Sequence, residues 1–334
     1  MISARRRELL IAATALPALA QAKPGLARQL AEAYPINASP GYVTALIWAA
    51  QRALNGGRLP PRSQQALLAL RQSVSATPPT AWPLLAGYAA FAEAARRDGD
   101  STAGALAVQA LRAIIADTAD GPRLTGLRPW TDDLFMAALL LDRTLPLLPV
   151  AEQPRAVEAL ASSLKNLAVR LQRPDGLFDH AVGSPVAWGR GNGFASLGLA
   201  LALAGPLASQ ASLQSRLRSH LLALLPLQGA DGLWRQVLDD EGSAGELTVT
   251  AMSLAALAAA RRHGWLDGGA VDAAIARAWA GVLSRIDANG RFSDVCASTP
   301  AGPTLDFYLQ RPIIRGPDDR AAAMVLLAAA SMAT

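Results

Sequence analysis

The chain has 334 residues, of which 51% are hydrophobic and 17% are charged, and it contains one cysteine. This composition provides enough apolar side chains for a large core, and it excludes a disordered chain and a coiled coil. The net charge of +5 is scattered, without a run of basic residues or an interleaved aromatic stripe, so we expect no nucleic-acid partner.

The first predicted element is an export leader over residues 1–22. Three arginines at positions 5–7 precede an apolar stretch from Leu9 to Leu19, and the Ala-Gln-Ala that follows fits a cleavage site. That stretch is too short to span a bilayer, which needs about 20 residues. The order Arg-Arg-Glu-Leu-Leu over 6–10 resembles a twin-arginine signal. We therefore expect a periplasmic or secreted protein without a membrane span once the leader is removed; an uncleaved N-terminal helix is the alternative.

Helical periodicity dominates the chain after the leader, which we expect to form one domain over residues 23–334. Apolar residues recur at the spacing of a helical face, and clusters of Gly, Pro, Asp and Asn separate the segments. No long alternating strand pattern interrupts them, so the sequence predicts an all-α fold. The predicted helices cover residues 25–33, 41–54, 63–74, 83–98, 102–117, 131–145, 151–172, 191–205, 209–227, 246–263, 269–287 and 319–333.

A repeated turn follows several of these helices. Asp-Gly at 175–176, Asp-Gly at 231–232 and Asn-Gly at 289–290 each precede an aromatic residue, and their spacings are 56 and 58 residues. These pairs favour a tight turn, and a fixed period of this length indicates one helical hairpin per repeat. Six such hairpins predict a closed toroid, the (α/α)6 barrel. An open solenoid is the alternative, but it would expose the charge-poor segments 195–204 and 250–260 to water.

The segment Trp-Thr-Asp-Asp-Leu-Phe-Met over residues 130–136 begins a predicted helix with two adjacent carboxylates. One of them, Asp132 or Asp133, can be an N-cap that accepts a backbone hydrogen bond. A single cap does not need two acids, and the aromatic Trp130 and Phe135 beside them favour partial desolvation. Desolvation raises the pKa of a carboxyl group, which suits a general acid near neutral pH.

A second polar segment follows the first of the three repeated turns. It contains His180 and then Trp-Gly-Arg-Gly-Asn-Gly over residues 188–193. Trp188 can stack on a sugar ring, the planar guanidinium of Arg190 suits a carboxylate, and the glycines let the backbone approach a ligand closely. The alternatives are a structural salt bridge for Arg190, a helix start for the glycines and a core position for His180.

The third polar segment contains Trp234, Gln236 and Glu246, which can line the same mouth of the barrel. Glu246 and the threonines after it can equally satisfy backbone N–H groups at a helix start. Three dispersed histidines and the lone Cys296, which we expect to be buried, provide no zinc site. No nucleotide-binding or serine-hydrolase motif is present.

Taken in order, these segments resemble the unsaturated uronyl hydrolases of glycoside hydrolase families 88 and 105, in particular the unsaturated rhamnogalacturonyl hydrolases. Members of these families fold as (α/α)6 barrels, and the resemblance extends over residues 125–330. The motifs that carry it are Trp-Thr-Asp-Asp-Leu-Phe-Met at 130–136, Gly-Leu-Phe-Asp-His at 176–180, Trp-Gly-Arg-Gly-Asn-Gly-Phe at 188–194, Gly-Leu-Trp-Arg-Gln-Val-Leu-Asp at 232–239 with the segment 246–252, and Phe-Tyr-Leu-Gln-Arg-Pro at 307–312.

The resemblance implies a role for the site residues. Asp132 would be the general acid/base, and His180, Trp188 and Arg190 would line the subsite for the unsaturated sugar. We predict the remaining polar and aromatic residues of these segments to be further substrate-binding candidates. They are Trp130, Asp133, Asn192, Trp234, Gln236 and Glu246.

The reaction that the resemblance implies is hydration of the C4=C5 double bond of an unsaturated uronic acid. This sugar would form the non-reducing end of an oligosaccharide released by a polysaccharide lyase. Family members carry a second Asp where a helix here begins at 81–85, but this segment has no acid, and Phe194 replaces the usual Trp. A non-catalytic sugar-binding barrel, or another toroid enzyme such as a lyase or an epimerase, is the alternative. The resemblance implies neither a metal nor an organic cofactor, and we expect a monomer.

Overall fold

Helices make up most of the residues that the computed structural model describes, which are 24–75 and 77–332. The leader predicted over residues 1–22 lies outside them. In chain order the helices are α1 (Pro24–Ala33), α2 (Tyr42–Leu54), α3 (Pro61–Ser73), α4 (Trp82–Leu85), α5 (Ala89–Asp98), α6 (Ser101–Ala113), α7 (Thr131–Thr144), α8 (Gln153–Leu171), α9 (Gly189–Ala204), α10 (Ala211–Leu224), α11 (Leu247–Arg262), α12 (Gly269–Ser284), α13 (Leu305–Leu309) and α14 (Asp319–Met332).

The long helices alternate between an outer and an inner position along the chain. The outer ring consists of α1, α3, α6, α8, α10 and α12. The inner ring consists of α2, α4 with α5, α7, α9, α11 and α14, and a 3-10 turn over Ala86–Tyr88 joins α4 to α5. Each inner helix contacts the next, and α14 contacts α2, so the ring is closed. The predicted (α/α)6 barrel is therefore confirmed.

Burial of apolar surface explains why the ring closes. In α9 every residue from Gly189 to Leu203 is buried, and in α11 every residue from Leu247 to Ala260 is buried. An open solenoid would expose these charge-poor helices to water, which opposes it. Within the described residues, none of the helices is long and apolar enough to cross a membrane.

The repeated turns adopt the backbone conformation that their glycines predict. Gly176, Gly232 and Gly290 have φ angles of 92°, 84° and 71°, which lie in the left-handed region. A β-carbon at Gly232 would also collide with the carbonyl oxygen of Arg277 in α12. The aromatic residue after each turn is buried: Phe178, Trp234 and Phe292.

Short antiparallel hairpins lie in the loops between the helices of the described chain. They pair β1 (Ile115–Thr118) with β2 (Gly121–Leu124), β3 (Trp234–Arg235) with β4 (Gly245–Glu246), and β5 (Phe292–Cys296) with β6 (Ile313–Gly316). Trp234 is paired with Glu246, and Cys296 is paired with Ile313. The loop between β5 and β6 contains α13, and this loop covers part of the site described below.

The helix predicted over residues 102–117 is wrong at its C-terminal end. The structure ends α6 at Ala113 and continues into β1, in which Ile115 is paired with Leu124. The β-branched Ile and Thr residues favour a strand, and the Asp-Gly pair at 120–121 favours the tight turn that returns the chain as β2. Local turn chemistry therefore overrides the helical periodicity here.

Candidate active site

The starts of α7 and α9 bring Asp132 and His180 together at one mouth of the barrel. Asp132 is the second residue of α7, and His180 lies on the loop that precedes α9. The backbone N–H of Thr131 donates to the His180 carbonyl oxygen at 3.0 Å. Trp130 also forms a β-bridge with Ala181. These backbone contacts hold the loop against the helix start and fix the distance between the two side chains.

Asp132 and His180 form a close acid–imidazole pair. The Asp132 Oδ2 atom lies 3.3 Å from His180 Nε2; the Asp132 side chain is 17% exposed, whereas His180 is completely buried. The two atoms are within ion-pair distance, but Nε2 has no aligned hydrogen-bond partner in the described chain. A carboxylate that is open to solvent on one side and held against a polar ring can therefore contact a ligand in the mouth.

The electrostatic surroundings of Asp132 lower the pKa of its carboxyl group. Burial alone raises this pKa, but the interaction with the adjacent His180 ring, followed by the charges of Arg190 and Arg128, outweighs burial. The expectation from the sequence of a raised carboxyl pKa is therefore wrong for Asp132. Asp132 is a carboxylate near neutral pH, so it is ready to accept a proton.

Tyr308 and two tryptophans hold the His180 ring. The Nδ1 atom of His180 lies 2.5 Å from the Tyr308 hydroxyl, which also accepts a hydrogen bond from the Gly302 backbone at 3.0 Å. The ring centroid of Trp188 lies 4.3 Å from that of His180, and the centroid of Trp130 lies 5.4 Å away. When Tyr308 donates to Nδ1, the remaining imidazole proton is on Nε2 and faces Asp132.

The structure does not support direct carboxylate binding by Arg190. Its two terminal nitrogens donate to the carbonyl oxygens of Cys296 at 2.6 Å and Ala297 at 2.7 Å, and only 2% of the residue is exposed. Its guanidinium lies 4.6 Å from the Trp188 ring centroid. Trp188 is itself 1% exposed, so neither residue has the open surface that the predicted sugar contacts require. Arg190 instead connects α9 to the end of β5.

The glycines of the segment 188–193 approach other parts of the protein rather than a ligand. A β-carbon at Gly191 would lie 2.6 Å from Thr131 Oγ1 and 3.3 Å from the Cδ2 atom of His180. A β-carbon at Gly193 would lie 2.7 Å from the Cε atom of Met252 in α11. The prediction that these glycines admit a ligand is therefore wrong. They allow α9 to pack closely against the start of α7, the loop that carries His180, and α11.

Asn192 is a structural residue in this site. Its Nδ2 atom donates to the carbonyl oxygens of Phe178 at 2.8 Å and Trp188 at 3.0 Å, and its Oδ1 atom accepts from the Phe178 N–H at 2.8 Å. Both amide hydrogens are used, and the residue is completely buried. The structure therefore does not support substrate binding by Asn192, which holds the loop before α9 instead.

Two of the three predicted residues in the third segment are also structural. Trp234 is buried, and its indole N–H donates to the Leu224 carbonyl oxygen at 2.7 Å. Glu246 is buried and caps α11 by accepting from the Val249 N–H at 2.7 Å, and it also accepts from the Cys296 N–H at 3.0 Å. The helix-start alternative for Glu246 is therefore the correct one.

Gln236 contacts the loop that carries Tyr308. Its Nε2 atom donates to the Tyr308 carbonyl oxygen at 2.5 Å, while its Oε1 atom is buried without a hydrogen-bond partner in the described chain. Because Tyr308 contacts His180, Gln236 acts on the site through the position of this loop. A direct contact between Gln236 and substrate remains a prediction.

Asp133 and Asp132 have different environments although they are adjacent. Asp133 is completely buried, and its carboxylate accepts from the Arg128 backbone N–H at 2.6 Å and from Arg128 Nη2 at 2.6 Å. Burial is the largest influence on Asp133 and raises the pKa of this carboxyl group despite the Arg128 pair. Asp133 therefore anchors the loop before α7.

Trp130 is partly exposed, and the Arg128 guanidinium lies 4.2 Å from its ring centroid, so Trp130 can still border the mouth.

Tyr42 and Arg320, in the first turns of α2 and α14, were not predicted from the sequence. Tyr42 is the first residue of α2, and its ring centroid lies 6.2 Å from that of Phe135 in α7 and 5.8 Å from that of Phe194 in α9. Burial raises the pKa of the Tyr42 hydroxyl, and the charges of Arg320, Arg190 and Asp132 also act on this pKa. No local motif marks either residue, because closure of the ring brings α2 and α14 to the site.

The segment that lacks the expected second acid is partly buried. Trp82 begins α4, is 2% exposed, and donates its indole N–H to the Thr125 carbonyl oxygen at 3.2 Å. A β-carbon at Gly41 would lie 3.6 Å from the Pro83 carbonyl oxygen, so Tyr42 starts α2 directly beside this segment.

Cys296 is buried as predicted, and burial raises the pKa of its thiol. Within the described residues, no group of three or more His, Cys, Asp and Glu side chains is arranged to hold a metal ion. His220, to which the sequence assigns no role, is completely buried and bonded to Ser196 and to the Gly176 carbonyl oxygen. Neither residue opens into the mouth that contains Asp132.

Six helical hairpins closed into a ring, with an acid–imidazole pair at one mouth, define an (α/α)6 toroid with a candidate acid–base site. The sequence profile of Glycosyl Hydrolase Family 88 matches residues 127–334. The chain belongs to this family, as its motifs predicted, and the matched region includes Asp132, His180 and Tyr308.

Individual relatives are more distant. The unsaturated rhamnogalacturonyl hydrolase YesR of Bacillus subtilis is 33% identical over 137 residues, which are 40% of this chain but only 37% of that protein. A solved structure of a possible GH105 member from Klebsiella pneumoniae matches with a TM-score of 0.77 at 18% identity, covering 97% of this chain and 96% of the other. A mutant unsaturated glucuronyl hydrolase from Streptococcus agalactiae matches with a TM-score of 0.62 at 12% identity, covering 93% and 90%. These structures establish the shared fold.

Proposed function

We propose that this protein hydrolyses oligosaccharides that end in a C4=C5 unsaturated uronic acid, and that Asp132 is its general acid/base. The observation that carries the proposal is the solvent-accessible Asp132 carboxylate 3.3 Å from the buried His180 ring. Membership of glycosyl hydrolase family 88 and the names of its relatives, an unsaturated rhamnogalacturonyl hydrolase and an unsaturated glucuronyl hydrolase, support the substrate class.

The proposed reaction needs a single carboxyl group that first donates and then accepts a proton. Protonated Asp132 donates to C4, the double bond is lost, and positive charge develops at C5 and the ring oxygen. The oxygen of a water molecule bonds to C5 while its proton passes to the Asp132 carboxylate. The resulting hemiketal opens, and the hemiacetal left at C1 expels the remaining sugar. One water molecule is consumed and Asp132 is regenerated.

The lowered pKa of Asp132 means that substrate must favour the protonated form. Burial raises this pKa, but His180, Arg190 and Arg128 lower it and keep Asp132 ionised. A bound uronate brings a second carboxylate close to Asp132 and neutralises part of the surrounding positive charge. Both effects raise the pKa of the Asp132 carboxyl, because two like charges in one site resist joint ionisation. Uronate binding thus converts a resting base into the acid that the first step requires.

One observation favours a second candidate, a polysaccharide lyase, which forms the unsaturated bond instead of consuming it. Such an enzyme transfers protons with a Tyr/His set, and here His180 Nδ1 lies 2.5 Å from the Tyr308 hydroxyl. Tyr308 is completely buried behind His180, however, whereas Asp132 is accessible from the mouth. Hydrolysis of the unsaturated sugar is therefore the reaction that this geometry supports better.

The direction in which the ultraviolet absorbance changes distinguishes the two reactions. The C4=C5 bond is conjugated with the carboxylate and absorbs, so a hydrolase decreases the absorbance of lyase-generated oligosaccharides. A lyase would instead increase the absorbance of an intact polysaccharide. A panel of unsaturated oligosaccharides from rhamnogalacturonan, glycosaminoglycan and ulvan would identify the preferred sugar. No absorbance change with any of them, together with ligand-induced thermal stabilisation, would indicate a sugar-binding protein instead.

We also propose that the protein acts outside the cytoplasm and as a monomer. The basic, apolar and small-residue regions of segment 1–22 support export. Cell fractionation with N-terminal sequencing of the mature chain tests this, and a cytoplasmic protein that still begins at Met1 would contradict it. Light scattering during size-exclusion chromatography tests the monomer.

A further inference from the structure

The hydroxyl of Tyr308 is a buried donor whose direction is set by its neighbours. It accepts the Gly302 N–H at 3.0 Å, and it lies 2.5 Å from Nδ1 of His180. Burial raises the pKa of this hydroxyl, so it keeps its proton. A buried hydroxyl that already accepts a hydrogen bond still needs an acceptor for its own proton, because an unpaired buried donor is costly. The lone pair of Nδ1 lies at the right distance to be that acceptor.

The charge of Asp132 favours the same tautomer from the other side of the His180 ring. The Asp132 carboxylate is ionised, and its Oδ2 atom lies 3.3 Å from Nε2. An Nε2–H group that faces a negative charge is favourable, whereas a lone pair on Nε2 is repelled by it. Nε2 has no aligned partner within the described residues, and such contacts often tighten only when substrate binds. Two separate contacts therefore favour a neutral His180 with its proton on Nε2.

The two oxygens of the Asp132 carboxylate have different neighbours. Oδ2 faces Nε2 of His180 and also lies 3.5 Å from the Thr131 hydroxyl. Oδ1 forms no hydrogen bond within the described chain and is not buried, in keeping with the 17% exposure of this side chain. An oxygen that accepts from a donor is the poorer place for a proton. When Asp132 is protonated, its proton therefore belongs on Oδ1, the oxygen that is open to the mouth.

We propose that Tyr308 fixes His180 as the Nε2–H tautomer and thereby directs the acidic proton of Asp132 onto Oδ1, from which it passes to C4 of the substrate. The O–H bond at Oδ1 breaks as the electrons of the double bond form the C4–H bond. This assignment rests on the proposed hydrolysis of unsaturated uronides. Tyr308 is a positioning residue, because it is completely buried and acts through His180.

Tyr308 matters most at the moment when Asp132 is protonated. The charge of Asp132 then no longer selects the tautomer, and the Tyr308 donor decides it alone. With the opposite tautomer, protonated Asp132 would donate from Oδ2 to the Nε2 lone pair, and its proton would point away from the mouth. Gln236 holds the Tyr308 backbone in place, because its Nε2 atom donates to the Tyr308 carbonyl oxygen at 2.5 Å.

Nitrogen-15 NMR of protein with ring-labelled histidine tests the tautomer directly. The chain has three histidines, and the His180 signals are those that disappear in His180→Gln. The wild type and Asp132→Asn, which removes the competing charge, should both show a protonated Nε2 and an unprotonated Nδ1. Adding Tyr308→Phe to Asp132→Asn should lower the ratio of Nε2–H to Nδ1–H by about 5- to 10-fold, the effect of one hydrogen bond. A proton on Nδ1 or on both nitrogens in the wild type, or an unchanged ratio in the double variant, would overturn the assignment.

Tyr34→Phe is the matched control, because Tyr34 is also buried and its hydroxyl donates to the Gly290 carbonyl oxygen at 2.9 Å. It removes an equivalent hydrogen bond and should leave the His180 tautomer unchanged. Ser184 also acts on the pKa of the Tyr308 hydroxyl, while its own hydroxyl donates to the Gly302 carbonyl oxygen at 2.6 Å. A change of tautomer in Ser184→Ala would show that Tyr308 donates to Ser184 and would overturn the proposal. If thermal melts show that Tyr308→Phe does not fold, the wild-type spectrum still decides which nitrogen carries the proton.

The pH profile of kcat on an unsaturated disaccharide connects the tautomer to catalysis. Tyr308→Phe should lower kcat, while the pH at which kcat declines should rise, because Asp132 holds its proton more tightly when it faces the Nε2 lone pair. Tyr34→Phe should change neither quantity. A lower kcat with an unchanged profile would overturn the catalytic part of the proposal.

The NMR experiment needs no substrate, so it separates this proposal from the proposed reaction. An Nε2–H tautomer that depends on Tyr308, in a protein that consumes no unsaturated sugar, supports the fixing of His180 and contradicts the hydrolase reaction. Turnover by a wild type whose His180 carries its proton on Nδ1 overturns the Tyr308 assignment and leaves the hydrolase reaction intact.

Discussion

Gly191→Ala should damage catalysis far more than it damages folding. The substitution adds one carbon in the first turn of α9, at a point that faces both catalytic segments. The new β-carbon would lie 2.6 Å from Thr131 Oγ1, 3.1 Å from Cε3 of Trp188 and 3.3 Å from Cδ2 of His180, whereas ordinary contacts begin at 3.4 Å. Relief of the shortest contact needs 3.4 − 2.6 = 0.8 Å of movement between α9 and the residue next to Asp132.

The two consequences have different magnitudes. Overpacking costs about 1–3 kcal/mol, and the better helix propensity of Ala returns about 1 kcal/mol. The free energy of unfolding should therefore fall by about 0–2 kcal/mol, which lowers Tm by only a few degrees. A displacement of about 1 Å in a catalytic group costs about 100-fold in rate. We therefore expect kcat on an unsaturated disaccharide to fall by about 100-fold in a protein that remains folded.

Absorbance kinetics and thermal melts on the same preparations test this prediction. Gly269→Ala is the control, because this glycine also lies in the first turn of a helix but has no atom within 4 Å of the added carbon. The control should keep full activity and stability. Activity of Gly191→Ala within about 3-fold of wild type would refute the reasoning, since the packing at Gly191 would then have no bearing on the geometry of the site.

Three further predictions concern the charges and hydrogen bonds around the site. Burial holds the pKa of His220 at about 4, below the usual 6.5, so the unfolded chain takes up its proton first. The free energy of unfolding should therefore fall by about 3 kcal/mol between about pH 6.5 and pH 4, and His220→Gln should remove this part of the dependence in urea titrations. Asp133→Asn should lower stability by about 1.5–3 kcal/mol through its bonds to Arg128, whereas Asp132→Asn should lower it less, because the Asp132 carboxylate is partly exposed and faces the His180 ring; equal effects in melting experiments would contradict the separate roles of the two acids. Tyr308→Phe should lower kcat by about 10-fold with little change in KM and should alter the pH profile, because His180 loses its 2.5 Å contact; an unchanged profile would exclude a positioning role for Tyr308.

Local sequence signals were sufficient to predict the barrel. Each helical hairpin encodes its own amphipathic pattern, and the Asp-Gly or Asn-Gly turns repeat at an almost constant interval, so the hairpins can be counted along the chain. The end of α6 was mispredicted because Ile115 continues the helical pattern, although it also suits a strand. The turn at 120–121 favours the strand over the helix, and the pairing of β1 with β2 becomes visible only in the structure.

The candidate site was predicted less completely. Asp132 and His180 are in contact because each belongs to a polar segment at the start of an inner helix, which the sequence marks clearly. The same polarity led to the prediction that Asn192 and Glu246 bind substrate, but both residues form hydrogen bonds within the protein. Sequence polarity alone does not distinguish a group that binds a ligand from one that satisfies buried backbone, because both require a polar side chain in an apolar setting.

The residues that the sequence analysis missed come from distant parts of the chain. Tyr42 begins α2 and Arg320 is the second residue of α14, and these helices become neighbours only when the last hairpin closes against the first. Neither residue lies in a motif that its surroundings distinguish from an ordinary helix start. Tyr308 had a partial signal, because it lies in the segment 307–312 that contributes to the family resemblance, but its contact with His180 depends on the loop between β5 and β6.

The most direct test of Asp132 as general acid/base is the ultraviolet absorbance of an unsaturated uronyl disaccharide incubated with wild-type protein and with Asp132→Asn. Thermal melts establish that the variant is folded. The wild type should consume the absorbance, and Asp132→Asn should reduce the rate by at least about 100-fold, in the range that general acid–base catalysis contributes. A folded Asp132→Asn variant that consumes the double bond at the wild-type rate would contradict the proposed mechanism.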